Sequence, residues 1–350
     1  MPKWLENLAD EIWEWFLTVR VLGQPGWVRF CREGALFEPG DRAGLGMSCL
    51  ALKTLYMLNL LDRLSPGELE DWIAYIHSFQ TVSGRSAGYF EDQALLRVVD
   101  RWWRRDWATR RAETRQACAA LLSVDARPKA PIRSIPRSPR DVRQFIRQLP
   151  WETPWVAGSH ASHLMFFLHV NATVFGENST EKILLPVILE KLEALQDPET
   201  GSWFTGNPSP EQMINGAMKV ITGYSFLSLP FRHADRLIDF ALTLANDYDA
   251  CHHTDLIYVL HQCSRLSGHR LSEVHQVAEQ RLADIIRFRR RDGAFSFRPE
   301  GSGLVYYGVP MSRGLPVSDI HGTTLFVWAL VMIADLLGWR AGLGWRLPVT

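Results

Sequence analysis

Residues 157–227 read AGSHASHLMFFLHVNATVFGENSTEKILLPVILEKLEALQDPETGSWFTGNPSPEQMINGAMKVITGYSFL, and the fold is decided there. The stretch opens, from Ala157, with a helix-length run that is apolar nearly all round and rich in small residues. A second run, TEKILLPVILEKLEALQ, is amphipathic. A polar turn ending in Gly201-Ser202-Trp203 follows, and MINGAMKVITGYSFL, from Met213, is again apolar all round. A helix that is hydrophobic on every side is buried on every side, whereas an amphipathic one shows a face to water. Alternation of the two kinds is what an inner ring of helices wrapped by an outer ring produces.

The alternation extends in both directions. RAGLGMSCLALKTLYML (from Arg42), AETRQACAALLSV (from Ala112), ACHHTDLIYVLHQCSRL (from Ala250) and SDIHGTTLFVWALVMIADLLG (from Ser318) are of the inner kind. SPGELEDWIAYIHSFQ, SPRDVRQFIRQL, HADRLIDFALTLA and LSEVHQVAEQRLADIIRFRRR are of the outer kind. Inner-type starts near residues 42, 112, 157, 213, 250 and 318 recur every ~50 residues on average, a helix-pair period. The expected fold is all-α, an α/α toroid of about six inner and six outer helices, forming one domain over residues 1–350. The clear break is DARPKAPIRSIPRSPRDVR at 125–143, whose prolines and basic residues read as an exposed connection. A lid or an anion-binding arm is the other reading of that stretch.

Composition narrows the partners. Of 350 residues 47% are apolar and 22% charged, which is ample for a large core. The 38 basic and 38 acidic residues cancel, which argues against nucleic acid or an anionic membrane as the main partner, because both reward clustered positive charge. Cys31, Cys49, Cys118, Cys251 and Cys263 are odd in number and scattered, which is no disulfide framework and suits a reducing, cytoplasmic setting. MPKWLENLADEIWEWF carries acidic residues inside its apolar stretch, unlike a secretory signal. FVWALVMIADLLGW is interrupted by Asp335 and too short for a membrane span. A small molecule held in a central cavity is the expected partner. The 14 tryptophans serve a core first, and a sugar-stacking cleft or a cation-stabilising pocket second.

A shorter repeat lies in the loops FQTVSGRSAGYFED, LQDPETGSWFTG and FRRRDGAFSFRP. Each runs from a helix end to Gly-x-aromatic: Gly88-Tyr89-Phe90, Gly201-Ser202-Trp203 and Gly293-Ala294-Phe295. Gln196 followed by Gly201-Ser202-Trp203 resembles the Gln…Gly-x-Trp repeat of squalene and oxidosqualene cyclases and of protein prenyltransferase β-subunits. That resemblance implies an enzyme of the terpenoid-cyclase/prenyltransferase-like superfamily, acting on an apolar, isoprenoid-type substrate.

Polar residues of the inner-type helices concentrate in their first turns. Glu113 and Arg115 open one, Ser159, His160 and His163 another, and Asn215 precedes Lys219. Cys251, His252, His253 and Asp255 open the fifth helix; Asp319 and His321 open the sixth. Inner helices of a toroid run the same way, so these turns gather at one mouth, where free N–H groups favour anionic ligands. Capping accounts for Asp249, Ser159 or Asp319 singly, but not for four histidines and a cysteine at two helix starts. Asp249-Ala-Cys251 with the distant Asp319-Ile-His321 resembles the zinc-ligand pattern of prenyltransferase β-subunits. The resemblance implies Zn²⁺ on Asp249, Cys251 and His321 with one open position, a donor set suited to zinc, and His252 or His253 can stand in for Asp249. The preceding LTLANDY lacks the basic residues with which those enzymes hold a diphosphate.

Asp319-Ile-His321-Gly322-Thr323-Thr324 also resembles the Asp-x-Asp-Asp-Thr-Ala motif of class II terpene cyclases, with histidine where the protonating acid belongs. Asp319 and His321 are therefore expected as an acid–base pair, with Asp255 and His252 facing them. Glu113, Arg115, Trp155, His160, His163, Asn215, Lys219 and Trp203 are expected to line the substrate site. The alternative is a carbohydrate-active toroid enzyme, whether lyase, hydrolase or epimerase. There Trp155, Trp203 and Phe295 stack on sugars and Glu113, Asp255 and Asp319 supply acid and base, or His160, His163, Tyr306 and Tyr307 do. A non-catalytic binding scaffold is the second alternative, disfavoured because clustered ionisable groups are costly unless used.

Overall fold

A computed structural model describes residues 1–103, 106–244 and 248–349, without the side chains of 100–103 and 106. In chain order the helices are α1 (Lys3–Val19), α2 (Gly44–Met57), α3 (Pro66–Ser78), α4 (Gln93–Trp103), α5 (Asp106–Ser123), α6 (Pro139–Gln148) and α7 (Pro154–Phe175). They continue as α8 (Asn178–Leu195), α9 (Pro210–Phe226), α10 (Ala234–Ala241), α11 (Ala250–Leu266), α12 (Leu271–Ile285), α13 (Ile320–Leu336) and the short α14 (Arg340–Leu343). One small antiparallel hairpin, β1 (Val305–Tyr306) and β2 (Val309–Pro310), precedes α13.

Helices α2, α5, α7, α9, α11 and α13 pack each on the next, and α13 returns to α2, closing an inner ring. The chain is an α/α toroid. Between ring members run the outer helices: α3 lies against α2 and α5, α8 against α6 and α7, α10 against α11, and α12 against α11 and α13. Helix α1 completes the outer layer between α12 and α3. Its Phe16 stacks on Trp72 of α3 at 5.7 Å, and its Glu11 pairs with Arg289 just beyond α12. The sequence pattern missed α4, which packs on α5, and it began α5 at Ala112 where the helix starts at Asp106.

Small residues set how tightly the ring closes. A Cβ on Gly158 of α7 would lie 2.7 Å from the Gly216 carbonyl of α9, so the two backbones approach as closely as glycine permits.

The Gly-x-aromatic loops are one structure repeated. Bridges Gln80↔Phe90, Gln196↔Trp203 and Arg289↔Phe295 close the three turns, and Gly88, Gly201 and Gly293 sit at φ +89°, +74° and +92°. Gln196 donates to the Gly201 carbonyl (2.8 Å) and the Arg232 carbonyl (2.7 Å); Gln80 does the same to Gly88 (3.2 Å) and Ala130 (3.1 Å). Each glutamine thus pins its own loop to the connection that follows.

The proline-rich stretch is less free than expected. Pro128, Ala130 and Ile132 are buried, and Asn171 of α7 both accepts from the Ile132 N–H and donates to its carbonyl, each at 2.9 Å. The strap's backbone is anchored while its cations face water. From Pro139 onward the stretch is helix α6, capped by Ser138. Among the described residues no helix is long and apolar enough to cross a membrane.

Candidate functional site inside the ring

All six inner helices send ionisable or polar side chains toward one another. Glu113 of α5 feels the charge of Lys53 on α2, and Lys219 of α9 lies 3.7 Å from Asp255 on α11. His163 of α7 feels Arg115 and Lys219 of α9, and His321 of α13 feels Lys219 and Lys53. Groups from six helices can meet in this way only in the interior of the ring. Lys53, Arg115, Lys219, Cys251 and His321 also keep part of their surface accessible, so these side chains line a space and do not fill a dry core.

Glu113 is almost wholly enclosed. Its Oε1 accepts a hydrogen bond from the Tyr306 hydroxyl at 2.7 Å, and its Oε2, also buried, has no partner. Burial pushes the carboxyl up to about 8, so it is protonated at neutral pH. Tyr306 arrives on β1, and its hydroxyl enters the ring because residue 46 is glycine: a Cβ there would stand 2.5 Å from that oxygen. Tyr307 follows with its ring 4.4 Å from that of Tyr306, in the left-handed region at φ +49° and partly exposed.

Asp255 of α11 sits elsewhere on the wall. Lys219 Nζ lies 3.7 Å from its Oδ1, while Oδ2 is buried without a partner. Burial raises this carboxyl to about 6 against the pull of Lys219, which leaves it largely ionised at neutral pH. Lys219 also lies 5.8 Å from the Trp155 ring centroid, and Trp155, at the start of α7, is 37% exposed.

Two partly buried cations lack carboxylate partners among the described residues. Lys53 donates to the Gln116 amide oxygen, and burial lowers its ammonium to about 8. Arg115 donates to Ser162 Oγ at 2.7 Å and stands over Phe166, its guanidinium lowered by burial to about 10. The histidines nearby are neutral: burial pulls His160 and His321 down to about 4, and it holds His163 well below its ordinary value. Asn215 is buried with its Oδ1 unpartnered.

Several expected roles are not the ones found. Asp319 does not orient His321. Its Oδ1 accepts from Gly322 N (2.8 Å) and its Oδ2 from Phe297 N (2.7 Å) and Gly303 N (2.9 Å), so it caps α13 and ties down the loop before the hairpin. Gly322, where class II cyclases carry an acid, is required by close approach, since a Cβ would lie 2.3 Å from Phe297 N. Thr323 exchanges hydrogen bonds with the Phe295 backbone. The motif is therefore a loop anchor. His321 instead stacks on Phe297 at 4.8 Å and meets the edge of Tyr306.

Trp203 is wholly buried, its indole N–H donating to the Leu192 carbonyl at 3.0 Å, and Phe295 is equally enclosed, so neither stacks on a ligand. Asp249 caps α11 by accepting from His252 N (3.1 Å) and lies 2.8 Å from His252 Nδ1. The Cys251 thiol beside it is pushed well up by burial and two carboxylates. Among the described residues no group of three or more His, Cys, Asp and Glu side chains is placed to hold a metal ion, Asp249, Cys251 and His321 included. His253 packs against Phe288 and Phe326, away from the mouth. Ala245–Asp247 of the LTLANDY stretch lie outside the described residues.

Sequence reasoning missed Lys53, although a single lysine within the otherwise apolar RAGLGMSCLALKTLYML was the signal. It named Tyr306 without its tie to Glu113, because no local pattern links residues 193 apart.

Compared by sequence, the chain matches no protein-family model and no curated protein. Compared by structure, it is similar to a polysaccharide lyase at 10% identity, over 96% of this chain and 97% of that one, with a TM-score of 0.44. It is also similar to a possible member of the GH105 family from Salmonella enterica serovar Paratyphi A, at 14% identity over 96% and 94%, with a TM-score of 0.47. Neither of these is a terpenoid cyclase or a prenyltransferase, and the loop-anchoring role of Gln196, Asp319, Gly322 and Thr323 corrects that expectation.

Proposed function

We propose that the chain is a carbohydrate-active enzyme, working by acid–base chemistry inside the ring on a sugar that bears an anionic group. The observation that carries this reading is the pair Glu113 and Asp255, two buried carboxyl groups each with an unpartnered oxygen, held at about 8 and about 6. Environments that push two carboxyls apart in this way assign an acid and a base. Glu113 is protonated at neutral pH and donates to the oxygen of the leaving group. Asp255 is ionised and takes a proton, from water in a hydrolase or from a ring carbon in a lyase. Tyr306 holds the Glu113 carboxyl in place. Lys53 and Arg115, cationic and without carboxylate partners among the described residues, supply the attraction for a negative substituent. Trp155, exposed beside Lys219, offers a flat apolar face to a sugar ring at the entrance.

The test is turnover of a panel of neutral and uronate-containing oligosaccharides by the wild type and by Glu113→Gln. A general acid is worth about 10²–10⁴ in rate, so the variant should lose at least a hundredfold while remaining folded. Appearance of an ultraviolet-absorbing conjugated alkene marks elimination; ¹⁸O uptake from water marks hydrolysis. Wild-type turnover by Glu113→Gln would remove the acid assignment.

A further inference from the structure

One surface of the molecule is charged out of proportion to the rest. Residues 127–147 hold seven basic side chains against the single acid Asp141, in a chain whose 38 basic and 38 acidic residues cancel. All seven (Arg127, Lys129, Arg133, Arg137, Arg140, Arg143 and Arg147) are exposed. Arg133 and Arg137 are both engaged by Glu177, at 2.6 and 2.9 Å. The other five form no ion pair among the described residues.

Their placement is ordered. Helix α6 buries Val142 and Ile146 and turns Arg140, Arg143 and Arg147 outward. Spaced i, i+3 and i+7, these three share one face and run along about 10 Å of helix. Helix stability does not explain them all, because Arg140 stands in the first turn, where the helix dipole repels a cation. Further cations lie on the ring side of α6. Phe145 carries the Arg111 guanidinium at 5.4 Å, and Arg111 Nη1 lies 3.4 Å from His160 Nδ1 on the ring helix α7. Beyond His160 stands Arg115, bonded to Ser162.

We propose that the face of α6 formed by Arg140, Arg143 and Arg147 is a docking lane for an anionic polysaccharide. The identity of the polymer rests on the carbohydrate reading above; the lane itself rests on the unpaired charges. Single-stranded nucleic acid favours aromatic platforms for its bases, and a membrane surface favours inserted apolar side chains. The lane offers neither, since no large hydrophobic side chain between residues 107 and 154 is exposed. Clustered charge of one sign raises the local concentration of an opposite polymer and speeds its capture.

The experiment is titration calorimetry with size-fractionated heparin as probe, at several salt concentrations, with neutral dextran and duplex DNA alongside. The variants are Arg140→Gln/Arg143→Gln/Arg147→Gln and, separately, Glu113→Gln. All three arginines are exposed, so circular dichroism should show an unchanged fold. Heparin should bind with strong salt dependence and dextran should not bind. The triple variant should bind about tenfold or more weakly, with a salt slope smaller by about two to three, one ion released for each cation lost. Glu113→Gln should bind like the wild type. Unchanged affinity and slope in the triple variant would overturn the lane and leave the interior site untouched. DNA binding as tightly as heparin at equal salt would overturn the choice of polymer. Loss of heparin binding in Glu113→Gln would place the polymer in the ring and also overturn the lane.

Discussion

Replacing Glu113 by glutamine should make the protein more stable, and by an amount that depends on pH. The carboxyl rises from an ordinary 4.5 to about 8 on folding, chiefly through burial. A group whose folded value is raised contributes its full stability below the unfolded value and loses it as pH climbs toward the folded one. At about pH 7.5, three decades above 4.5, keeping this proton costs the folded state about 4 kcal/mol, at about 1.4 kcal/mol per decade. At about pH 5 the cost is under about 1 kcal/mol. Glutamine resembles the protonated acid: it is neutral, and its carbonyl oxygen still accepts from Tyr306. With about 2 cal/mol/K of unfolding entropy per residue, a chain of 350 residues unfolds with about 0.7 kcal/mol/K. The variant's Tm should therefore exceed the wild type's by about 5 °C at pH 7.5 and by about 1 °C at pH 5, measured by calorimetry at matched ionic strength. Above about pH 8 the gap should stop growing, because the folded wild type then ionises too. An equal Tm difference at both pH values, or a less stable variant at pH 7.5, would mean that native Glu113 is already ionised, and its role as an acid would go with it. Gain of stability combined with loss of turnover is what distinguishes a residue kept for chemistry from one kept for structure.

Three further outcomes follow from the same geometry. Turnover should rise with pH through about 6 as Asp255 ionises and fall through about 8 as Glu113 does, giving a bell whose alkaline limb disappears in Glu113→Gln; a flat profile across that window refutes the pair. Gly46→Ala, whose Cβ would stand 2.5 Å from the Tyr306 hydroxyl, should cut turnover at least tenfold, as Tyr306→Phe should, because either change removes the hydrogen bond that positions Glu113. Asp319→Ala leaves three N–H groups without their acceptor, at about 1–3 kcal/mol each, and should lower Tm by about 4 °C or more. His321→Ala should leave Tm within about 2 °C; a fully stable Asp319→Ala with no turnover would instead make Asp319 catalytic.

Periodicity carried the fold because the toroid is built by repetition. Each inner helix must be apolar around most of its circumference and each outer helix on one face only, and both conditions are written locally in runs such as AGSHASHLMFFLHV and TEKILLPVILEKLEALQ. Helix α4 escaped because it lies outside the repeat, and the buried side of the strap at 128–132 escaped because Asn171, its partner, is on another helix. The Gln…Gly-x-aromatic repeat was equally legible but misread as to family. Gln80 and Gln196 pin loops, which is a structural task and says nothing of chemistry.

The site divides along the same line. Sequence placed Glu113, Arg115, His163, Asn215, Lys219 and Asp255 on inner helices, because polar residues stand out in apolar runs. It could not rank them. Asp255 and Asp319 read alike as acids at helix starts, yet one oxygen of Asp255 has no partner, whereas Asp319 is held by three backbone N–H groups. Whether a carboxyl is a strut or an acid depends on how many donors surround it and how much water it has lost, and both are set by chain segments far away in sequence. The amino-acid pattern by itself determined the ring; only closing the ring, which brought Gly46, Glu113 and Tyr306 together across 260 residues of chain, decided which of its polar groups were left free to act.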